Sequence, residues 1–459
     1  MYDFVVIGSG VSGGRIAYEL QKGGARCLLL EAGPAFDRTS FPKDELAYTT
    51  EMFWGGGVEV TRDGSIGLMR GRCLGGTSVV NQADLSRFDH YALDDWRDRT
   101  GIDFLSVDGL TPEYDALDAE VIASEIPEEF WGRNARLWTS AMDRLGYGWQ
   151  KILRAQSDCR WDKGSDCIVC LGGCPRDSKQ STLVAQIPAA VRLGLEVECD
   201  WTAEAIEDRG DSVAVHGVQH GRSVEARGRH AVLACGSLGN VRLLALSGFD
   251  AELPALGKGF ACHPQFMTFG VFDDPVDAHK GPFQSVESHD PRLREAGIKI
   301  ENVFGPPIAV AMLLEGWGRE HLQQMKLYRH LSCLEVAVRD ENSGVIRVSR
   351  NGRVVVEKSL TAQDSARRRH GMDLAADLHH AAGAKRVIFS DTVFGLHLMG
   401  GCAIGTDPQT SVVGPDFTVH GHPNLFAADS SIFPSAPGQN PSYTIMALSR
   451  MAAREMLQR

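Results

Sequence analysis

The sequence predicts an α/β fold, in which a nucleotide-binding domain is assembled from separate chain segments and a second, α+β domain is inserted between them. Three features predict it: a β-α-β pattern over residues 1–35, a strand at 231–236, and a helix that closes the chain. The run at 231–236 is apolar up to its glycine, which is typical of a parallel strand covered on both faces. We therefore assign 1–90, 178–264 and 395–459 to the first domain, and 91–177 and 265–394 to the second.

The first β-α-β unit carries the glycine pattern of a Rossmann-like dinucleotide-binding domain. Gly8 permits a tight turn, Gly10 lets the backbone approach a pyrophosphate, and Gly13 lets helix and strand pack closely. The helix that follows presents free N–H groups and a positive dipole end to phosphates. Glu31 ends the second strand, 23 residues after Gly8, where a carboxylate can accept hydrogen bonds from ribose hydroxyls.

The second domain and the C-terminus also carry local signals. Strand-like runs at 345–349 and 354–356 flank Asn351-Gly352, which predicts a β-hairpin and, with it, an antiparallel sheet. A helix is predicted at 366–383, ahead of a strand at 386–389. The last helix is predicted to begin at Pro441, with Asn440 as its N-cap.

The net charge and the hydropathy of the chain exclude some classes of partner and of membrane attachment. The chain has 459 residues and a net charge of −12, which argues against nucleic acid and anionic membranes as main partners. The glycine pattern starts too early for a signal peptide, and no run reaches the roughly 18 apolar residues of a transmembrane helix. Several of the 11 cysteines lie in apolar runs, which indicates buried thiols and a reducing compartment. We therefore expect a cytoplasmic protein.

Four further cysteines form a cluster in the sequence. Cys159, Cys167, Cys170 and Cys174 are spaced x7, x2 and x3, and Pro175 follows the last. Four thiolates are a ligand set for an iron–sulfur cluster or zinc, and the Cys-x2-Cys-x3-Cys-Pro end is similar to a ferredoxin-type run. The full spacing is not a standard ferredoxin one. A disulfide or a loop of buried thiols without metal remains an alternative.

Together with the N-terminus, three segments resemble the glucose–methanol–choline (GMC) oxidoreductases, FAD enzymes that act on alcohol groups. They are residues 71–81, 236–248 and 397–453. The resemblance implies that Gly71, Gly75, Gly76 and Asn81 form a loop against the flavin and that Asp429 lies near it. In relatives whose flavin is linked to histidine, the linking residue precedes the loop asparagine. Here that position is Val80, so noncovalent FAD is expected.

The resemblance also places two candidate catalytic residues. His397 occupies the position of the family's base, and an imidazole suits proton abstraction because its pKa lies near neutral pH. Asn440 occupies the partner position, where its amide can hold the substrate oxygen. The helix beginning at Pro441 would direct its N–H groups at the flavin. The alternatives are a core histidine at 397 and an Asn440 that only caps its helix.

The resemblance implies an FAD-dependent alcohol dehydrogenase. It would oxidise a small-molecule CH–OH group to a carbonyl and pass the electrons to a quinone or redox protein, the cysteine cluster being a candidate relay. Three alternatives remain open: an oxygen-using alcohol oxidase, a hydroxynitrile lyase that keeps FAD without redox chemistry, and a non-catalytic flavoprotein subunit. The sequence leaves the alcohol unidentified.

Overall fold

The computed structural model describes residues 1–157, 159, 170–282, 284–341 and 344–459. Cys167 lies outside the described residues. The strands, in chain order, are β1 (Tyr2–Ile7), β2 (Cys27–Leu30), β3 (Glu59–Val60), β4 (Gly67–Leu68), β5 (Trp149–Lys151), β6 (Glu196–Glu198), β7 (Trp201–Asp208), β8 (Val213–Gln219), β9 (Arg222–Leu233), β10 (Lys258–Val271), β11 (Val286–Ser288), β12 (Ile298–Asn302), β13 (Leu331–Val338), β14 (Gly344–Val348), β15 (Val354–Glu357), β16 (Arg386–Met399), β17 (Thr418–Val419) and β18 (His422–Ala427).

Helices connect and cover these strands. In chain order they are α1 (Val11–Lys22), α2 (Glu45–Met52), α3 (Thr77–Val80), α4 (His90–Thr100), α5 (Val107–Asp118), α6 (Arg133–Leu145), α7 (Gln186–Arg192), α8 (Gly236–Leu246), α9 (Pro291–Ala296), α10 (Pro307–Leu313), α11 (Arg319–Met325), α12 (Ala362–Ala381) and α13 (Ser442–Met456). None of the described helices is long and apolar enough to cross a membrane.

The first sheet has a parallel core in the order β18-β9-β1-β2-β6, and β7 and β8 extend it as an antiparallel branch from β9. Its central strands are buried and apolar, as at Val5, Val6, Val232 and Leu425. Helices α1, α7 and α13 pack together beside it. The carboxyl ends of β1, β9 and β18 therefore meet at one edge, which is where open parallel sheets bind ligands.

The second sheet is mostly antiparallel, in the order β3-β4-β16-β10-β13-β12-β11-β5. One face packs against α12, where Gly371 lies so close to Val336 that a Cβ would come within 2.4 Å of it. The predicted hairpin around Gly352 is present as β14 and β15. The sequence therefore predicted the fold class correctly, including the antiparallel sheet of the second domain.

The predicted domain boundaries are crossed by single strands. β10 runs through residue 264 and β16 through residue 395, so each belongs to both predicted segments. β3 and β4, from the segment 1–90, pair within the second sheet. Both long strands belong to the second sheet, and the division into segments remains a prediction.

Candidate active site

The glycine turn after β1 has the geometry that a diphosphate requires. Gly8 has φ +100°, and a Cβ on it would lie 2.4 Å from the Ala234 carbonyl oxygen. A Cβ on Gly13 would lie 1.8 Å from the Gly8 oxygen, whereas one on Gly10 would meet no atom within 4 Å. No side chain in the described part of the chain caps α1. Open space at Gly10 and free N–H groups at the helix start therefore fit the pyrophosphate of FAD.

Glu31 is held by the same turn. Its buried carboxylate accepts hydrogen bonds from Ser9 N (3.1 Å), Ser9 Oγ (2.6 Å) and Gly33 N (2.8 Å). Burial raises the pKa of Glu31, and these donors oppose the rise. The structure thus places the acid at the end of β2 as expected, but its contact with a ribose stays a prediction.

The loop formed by residues 71–81 lies across this turn. Gly75 N donates to Ser9 Oγ (2.8 Å), and a Cβ on Gly76 would lie 2.9 Å from Gly10 Cα. Gly71 is equally crowded, since its Cβ would lie 2.8 Å from the Gly76 carbonyl carbon. Gly76 lets the loop approach the turn closely and Gly71 lets the loop fold on itself, so the predicted flavin loop lies against the predicted diphosphate site.

A buried lysine anchors the end of that loop. Lys179 Nζ donates to the carbonyl oxygens of Val79 (2.8 Å), Asn81 (2.6 Å) and Cys170 (2.8 Å). Asn81 Oδ1 in turn accepts from Ala83 N (3.0 Å). A small cavity lined by Val11, Asn81, Lys179 and Ser442 among others lies beside these groups. The cavity therefore connects the glycine turn with the start of α13.

Asp429 ties two strand ends together. Its carboxylate accepts from Gly236 N (2.7 Å), Asn240 Nδ2 (3.0 Å) and Ser431 N (2.8 Å). These bonds join the segment after β9 to the segment after β18, at the edge where the first sheet would hold a ligand. The side chain of Asp429 is thus a structural brace, while its predicted contact with the flavin stays a prediction.

The last helix differs from its prediction. α13 begins at Ser442, with Pro441 as the N-cap residue, and none of the described side chains caps it. The prediction that Asn440 caps this helix is wrong, because its amide oxygen is bound elsewhere. The N–H groups of the first turn of α13 therefore lie uncapped beside the cavity that Ser442 lines.

His397 lies at a β-bulge near the end of β16. The pairing of β16 with β10 shifts between Leu396, opposite His263, and Met399, opposite Ala261. His397 itself has φ +56°, a left-handed conformation that costs a non-glycine residue about 1–3 kcal/mol. Bulges redirect side chains beside functional sites, and strain of this kind is concentrated there.

A second histidine orients His397. The two Nδ1 atoms of His263 and His397 are 2.9 Å apart, and Gly438 N donates to His263 Nε2 (3.0 Å). Because the Gly438 N–H can only donate, we assign the proton of neutral His263 to Nδ1. In this arrangement His397 accepts at Nδ1 and carries its own proton on Nε2. Burial, then the neighbouring Lys299, lowers the pKa of His397 to about 3.

Asn440 is oriented by Lys299. The Lys299 ammonium donates to Asn440 Oδ1 (2.9 Å), and a lysine can only donate. The Asn440 NH₂ group must therefore point away from Lys299, as a hydrogen-bond donor. Gly438, two residues earlier, bonds His263, so the two candidate catalytic side chains share one supporting segment.

Lys299 is itself enclosed by carboxylates. Its Nζ lies 3.3 Å from Asp84, 2.5 Å from Glu287 and 2.7 Å from Glu301, all buried. Burial alone lowers the pKa of Lys299, but the three carboxylates outweigh it and hold the pKa well above its ordinary value. Among the described residues, Asp84, Glu287 and Glu301 are the trio whose ligand atoms converge as in a metal site. The Lys299 ammonium already lies between the three carboxylates, so it occupies the position that a metal ion would take.

The described cysteines do not converge in this way. Cys159, Cys170 and Cys174 form no common ligand group within the described part of the chain. Cys170 contributes its backbone oxygen to Lys179 instead. The geometry of these three residues therefore gives no support to the predicted iron–sulfur cluster.

The sequence reasoning missed His263, Lys299 and the carboxylates around Lys299. His263 was visible in Cys262-His263-Pro264, but nothing local marks it as a partner of His397. Lys299 and Glu301 alternate with apolar residues in β12, a pattern that normally places charge toward solvent. Here that side of the strand faces Asp84, from the predicted segment 1–90.

Two family models match this chain, both described as GMC oxidoreductase, over residues 49–265 and 341–449. The chain belongs to the GMC oxidoreductase family. As a GMC oxidoreductase it is FAD-dependent and acts on alcohol-type substrates. His263, His397 and Asn440 lie within the matched segments, whereas Gly10 and Lys299 lie outside them.

Relatives of this GMC oxidoreductase occur in bacteria and plants. It is 28% identical to an uncharacterized GMC-type oxidoreductase of Mycobacterium tuberculosis, over 98% of this chain and 75% of that protein. It is 26% identical to a long-chain-alcohol oxidase of Arabidopsis thaliana, over 96% of this chain and 65% of that protein. The pyridoxine 4-oxidase from Mesorbium loti has the same fold, with a TM-score of 0.79, 18% identity and 99% coverage of both chains.

Proposed function

We propose that this GMC oxidoreductase oxidises a CH–OH group to a carbonyl, with His397 as the proton acceptor and Asn440 as the donor to the substrate oxygen. The observation that carries the proposal is the pairing of a strained, neutral imidazole with an amide whose NH₂ group is forced outward by Lys299. FAD, when bound, supplies the redox chemistry by taking the hydride from the carbinol carbon. Anaerobic bleaching of the flavin by an alcohol panel tests the proposal and separates it from a lyase or a non-catalytic subunit.

His263 sets a condition on the proton transfer. To accept a proton at Nε2, His397 must first release its own Nε2 proton to solvent and take the shared proton on Nδ1. His263 then takes up a proton from solvent at Nε2, where that proton faces the Gly438 N–H. Losing that hydrogen bond costs about 1–3 kcal/mol. A substrate hydroxyl that donates to His397 Nε2 offsets part of this cost, so substrate binding favours the basic tautomer. The Asn440 NH₂ group then stabilises the negative charge that develops on the oxygen.

The rate of flavin reduction should not fall near pH 6.5 through His397, because its pKa of about 3 keeps it neutral there. Asp84 is the neighbouring group that titrates near neutrality, since burial raises its pKa to about 7 against the pull of Lys299. Below that pH, protonated Asp84 holds Lys299 less well, and the rate should decline. Stopped-flow rates at pH 5–9 should show this decline at low pH in the wild type and not in Asp84→Asn. A decline of the rate near pH 6–7 that persists in the variant contradicts the assignment of this titration to Asp84.

The electron acceptor is proposed to be a quinone or a redox protein. Oxygen is the second candidate, favoured by the names of two similar proteins, a long-chain-alcohol oxidase and a pyridoxine 4-oxidase. Reduced enzyme mixed with air-saturated buffer should reoxidise much more slowly than it does with a quinone. Reoxidation by oxygen as fast as turnover makes the protein an oxidase.

The cofactor content is proposed to be one noncovalent FAD per chain, supported by Val80 at the position of the linking histidine. Acid denaturation should release the yellow cofactor quantitatively, and flavin that stays attached contradicts the proposal. The iron–sulfur cluster stays a prediction, to be tested on anaerobically purified protein. It requires stoichiometric iron and a paramagnetic signal that Cys170→Ser abolishes, and metal-free protein with full activity contradicts it.

A further inference from the structure

Asp84 lies between the predicted flavin loop and the residue that orients Asn440. It follows the loop formed by residues 71–81 and lines the same cavity as Ser442, the first residue of α13. Asp84 is only 4% exposed. Its Oδ2 accepts from Lys299 Nζ (3.3 Å), and the same ammonium donates to Asn440 Oδ1 (2.9 Å). Asp84 is therefore a buried carboxylate that connects the cavity with the catalytic pair.

The backbone before Asp84 has an uncommon conformation. Ala83 has φ +62°, in the left-handed region that favours glycine, and its N–H donates to Asn81 Oδ1 (3.0 Å). Asp84 itself forms an antiparallel bridge with Arg154, whose guanidinium donates to the Gln284 backbone oxygen (2.6 Å). Strained backbone of this kind persists where surrounding contacts fix it, and it is concentrated at functional sites. These contacts hold the Asp84 carboxylate in place beside the cavity.

The charges around Asp84 leave it close to binding a proton. Lys299 carries the positive charge of the group, whereas Glu287 and Glu301 add negative charge beside it. Ser86 Oγ donates to Asp84 Oδ1 (3.0 Å) and favours the ionised form. Burial raises the pKa of Asp84 to about 7, Lys299 opposes the rise, and the two glutamates add to it. A further negative charge near the cavity would therefore protonate Asp84 at neutral or slightly alkaline pH.

The other titratable groups near Asp84 are less able to take up a proton at such a pH. Lys179, across the cavity, already donates from its Nζ to three carbonyl oxygens. Burial lowers the pKa of His397 to about 3, so His397 would need a much larger rise in pKa than Asp84. Burial, then neighbouring Glu301, raises the pKa of Glu335 well above its ordinary value, so that carboxyl already holds a proton. Asp84 is therefore the group whose charge changes most readily.

We propose that Asp84 takes up one proton each time the FAD of this enzyme is reduced, and so balances the charge that the cofactor gains. Oxidation of the alcohol transfers a hydride to the flavin and leaves the hydroxyl proton on His397. That proton passes to solvent while the Asp84 carboxylate takes one from solvent, so the products are a carbonyl, a reduced anionic cofactor and a protonated Asp84. Negative charge added near a buried carboxylate raises its proton affinity.

The return of the oxidised enzyme uses the same proton. When a quinone accepts the two electrons, the hydride from the cofactor and the proton from Asp84 supply the two hydrogens of the quinol, and Asp84 is ionised again. This inference rests on the proposed function and gives Asp84 a role in each turnover, in addition to its bond to Lys299.

Redox titration at several pH values tests the proposal without an alcohol. Each proton taken up with two electrons lowers the midpoint potential by about 30 mV per pH unit, because a tenfold change in proton activity is worth that much in a two-electron couple. The wild type should approach about 59 mV per pH unit between pH 7.5 and 8.5, one proton for the cofactor and one for Asp84. Asp84→Asn should show only about 30 mV. Glu225→Gln, an exposed carboxylate paired with Arg227 at the start of β9, should behave as the wild type.

A wild-type slope of about 30 mV per pH unit would overturn the proposal, and so would a steeper slope that persists in Asp84→Asn. In the second case, loss of the steep slope in His397→Ala or Glu301→Gln identifies the group that is protonated instead.

Ser86→Ala gives a milder test if Asp84→Asn does not retain FAD. Loss of the donor to Asp84 Oδ1 favours the protonated carboxyl, so the pH at which the slope becomes steeper should move upward. An unchanged pH counts against the proposal. Because these titrations use no alcohol, their outcome is independent of whether an alcohol bleaches the flavin, which is the test of the proposed function.

Discussion

Replacing His397 with alanine will slow flavin reduction by a saturating alcohol by about 10²–10⁴-fold, the usual contribution of a general base. The variant loses the group that accepts the hydroxyl proton, while Asn440 and the glycine turn keep their contacts. FAD content should therefore match that of the wild type. Anaerobic stopped-flow absorbance measures the rate, and acid release of the flavin measures the occupancy.

A second histidine variant separates loss of the base from loss of the fold. His379 is a buried imidazole on α12, bonded to Thr268 Oγ1 and Ser332 Oγ (both 3.0 Å), on the face of the sheet away from the site. His379→Ala should lower the free energy of unfolding and leave the reduction rate within a factor of a few. Wild-type reduction by His397→Ala would show that the base is another group.

Replacing Lys299 with methionine should be the most destabilising single change in the site. It leaves Asp84, Glu287 and Glu301 buried without their cation, and breaking such a pair costs about 3–5 kcal/mol. The carboxylates then keep protons more tightly, so their folded pKa values rise and stability falls as the pH increases. The melting temperature of the variant should be lowest at pH 8 and recover partly at pH 6.

The same variant also releases the Asn440 amide. Flavin reduction should slow at pH 6, where the fold is retained, because the NH₂ group is no longer held toward the substrate. Lys299→Arg keeps the charge and should recover most of the stability. A Lys299→Met protein with wild-type stability and an unchanged rate would show that the ammonium neither balances the carboxylates nor orients Asn440.

Local patterns predicted the parts of the fold that local physics determines. The β-α-β unit with Gly8, Gly10 and Gly13 and the hairpin at Gly352 each depend on a few consecutive residues, and both are present. Their signals lie in turn geometry and in the alternation of apolar residues, which a single sequence displays.

The support of the catalytic pair depends on contacts between distant segments. Its sequence neighbours alone predict Asn440 as a helix cap, yet Lys299, 141 residues away, donates to its amide oxygen. His397 contacts His263, which lies 134 residues earlier in the chain, at a β-bulge that no residue pattern predicts. Only the pairing of β10 with β16 and β13 brings these side chains to one place, so their roles follow from topology.

The most direct test of the central claim is anaerobic flavin reduction by an alcohol carrying deuterium at the carbinol carbon. We expect bleaching of the flavin, one carbonyl product per FAD, and a rate slowed several-fold by deuterium, because the C–H bond breaks at the site that His397 and Asn440 form. The same alcohol should bleach His397→Ala far more slowly. Flavin that stays oxidised with every alcohol, or bleaching that neither deuterium nor His397→Ala slows, would contradict the account.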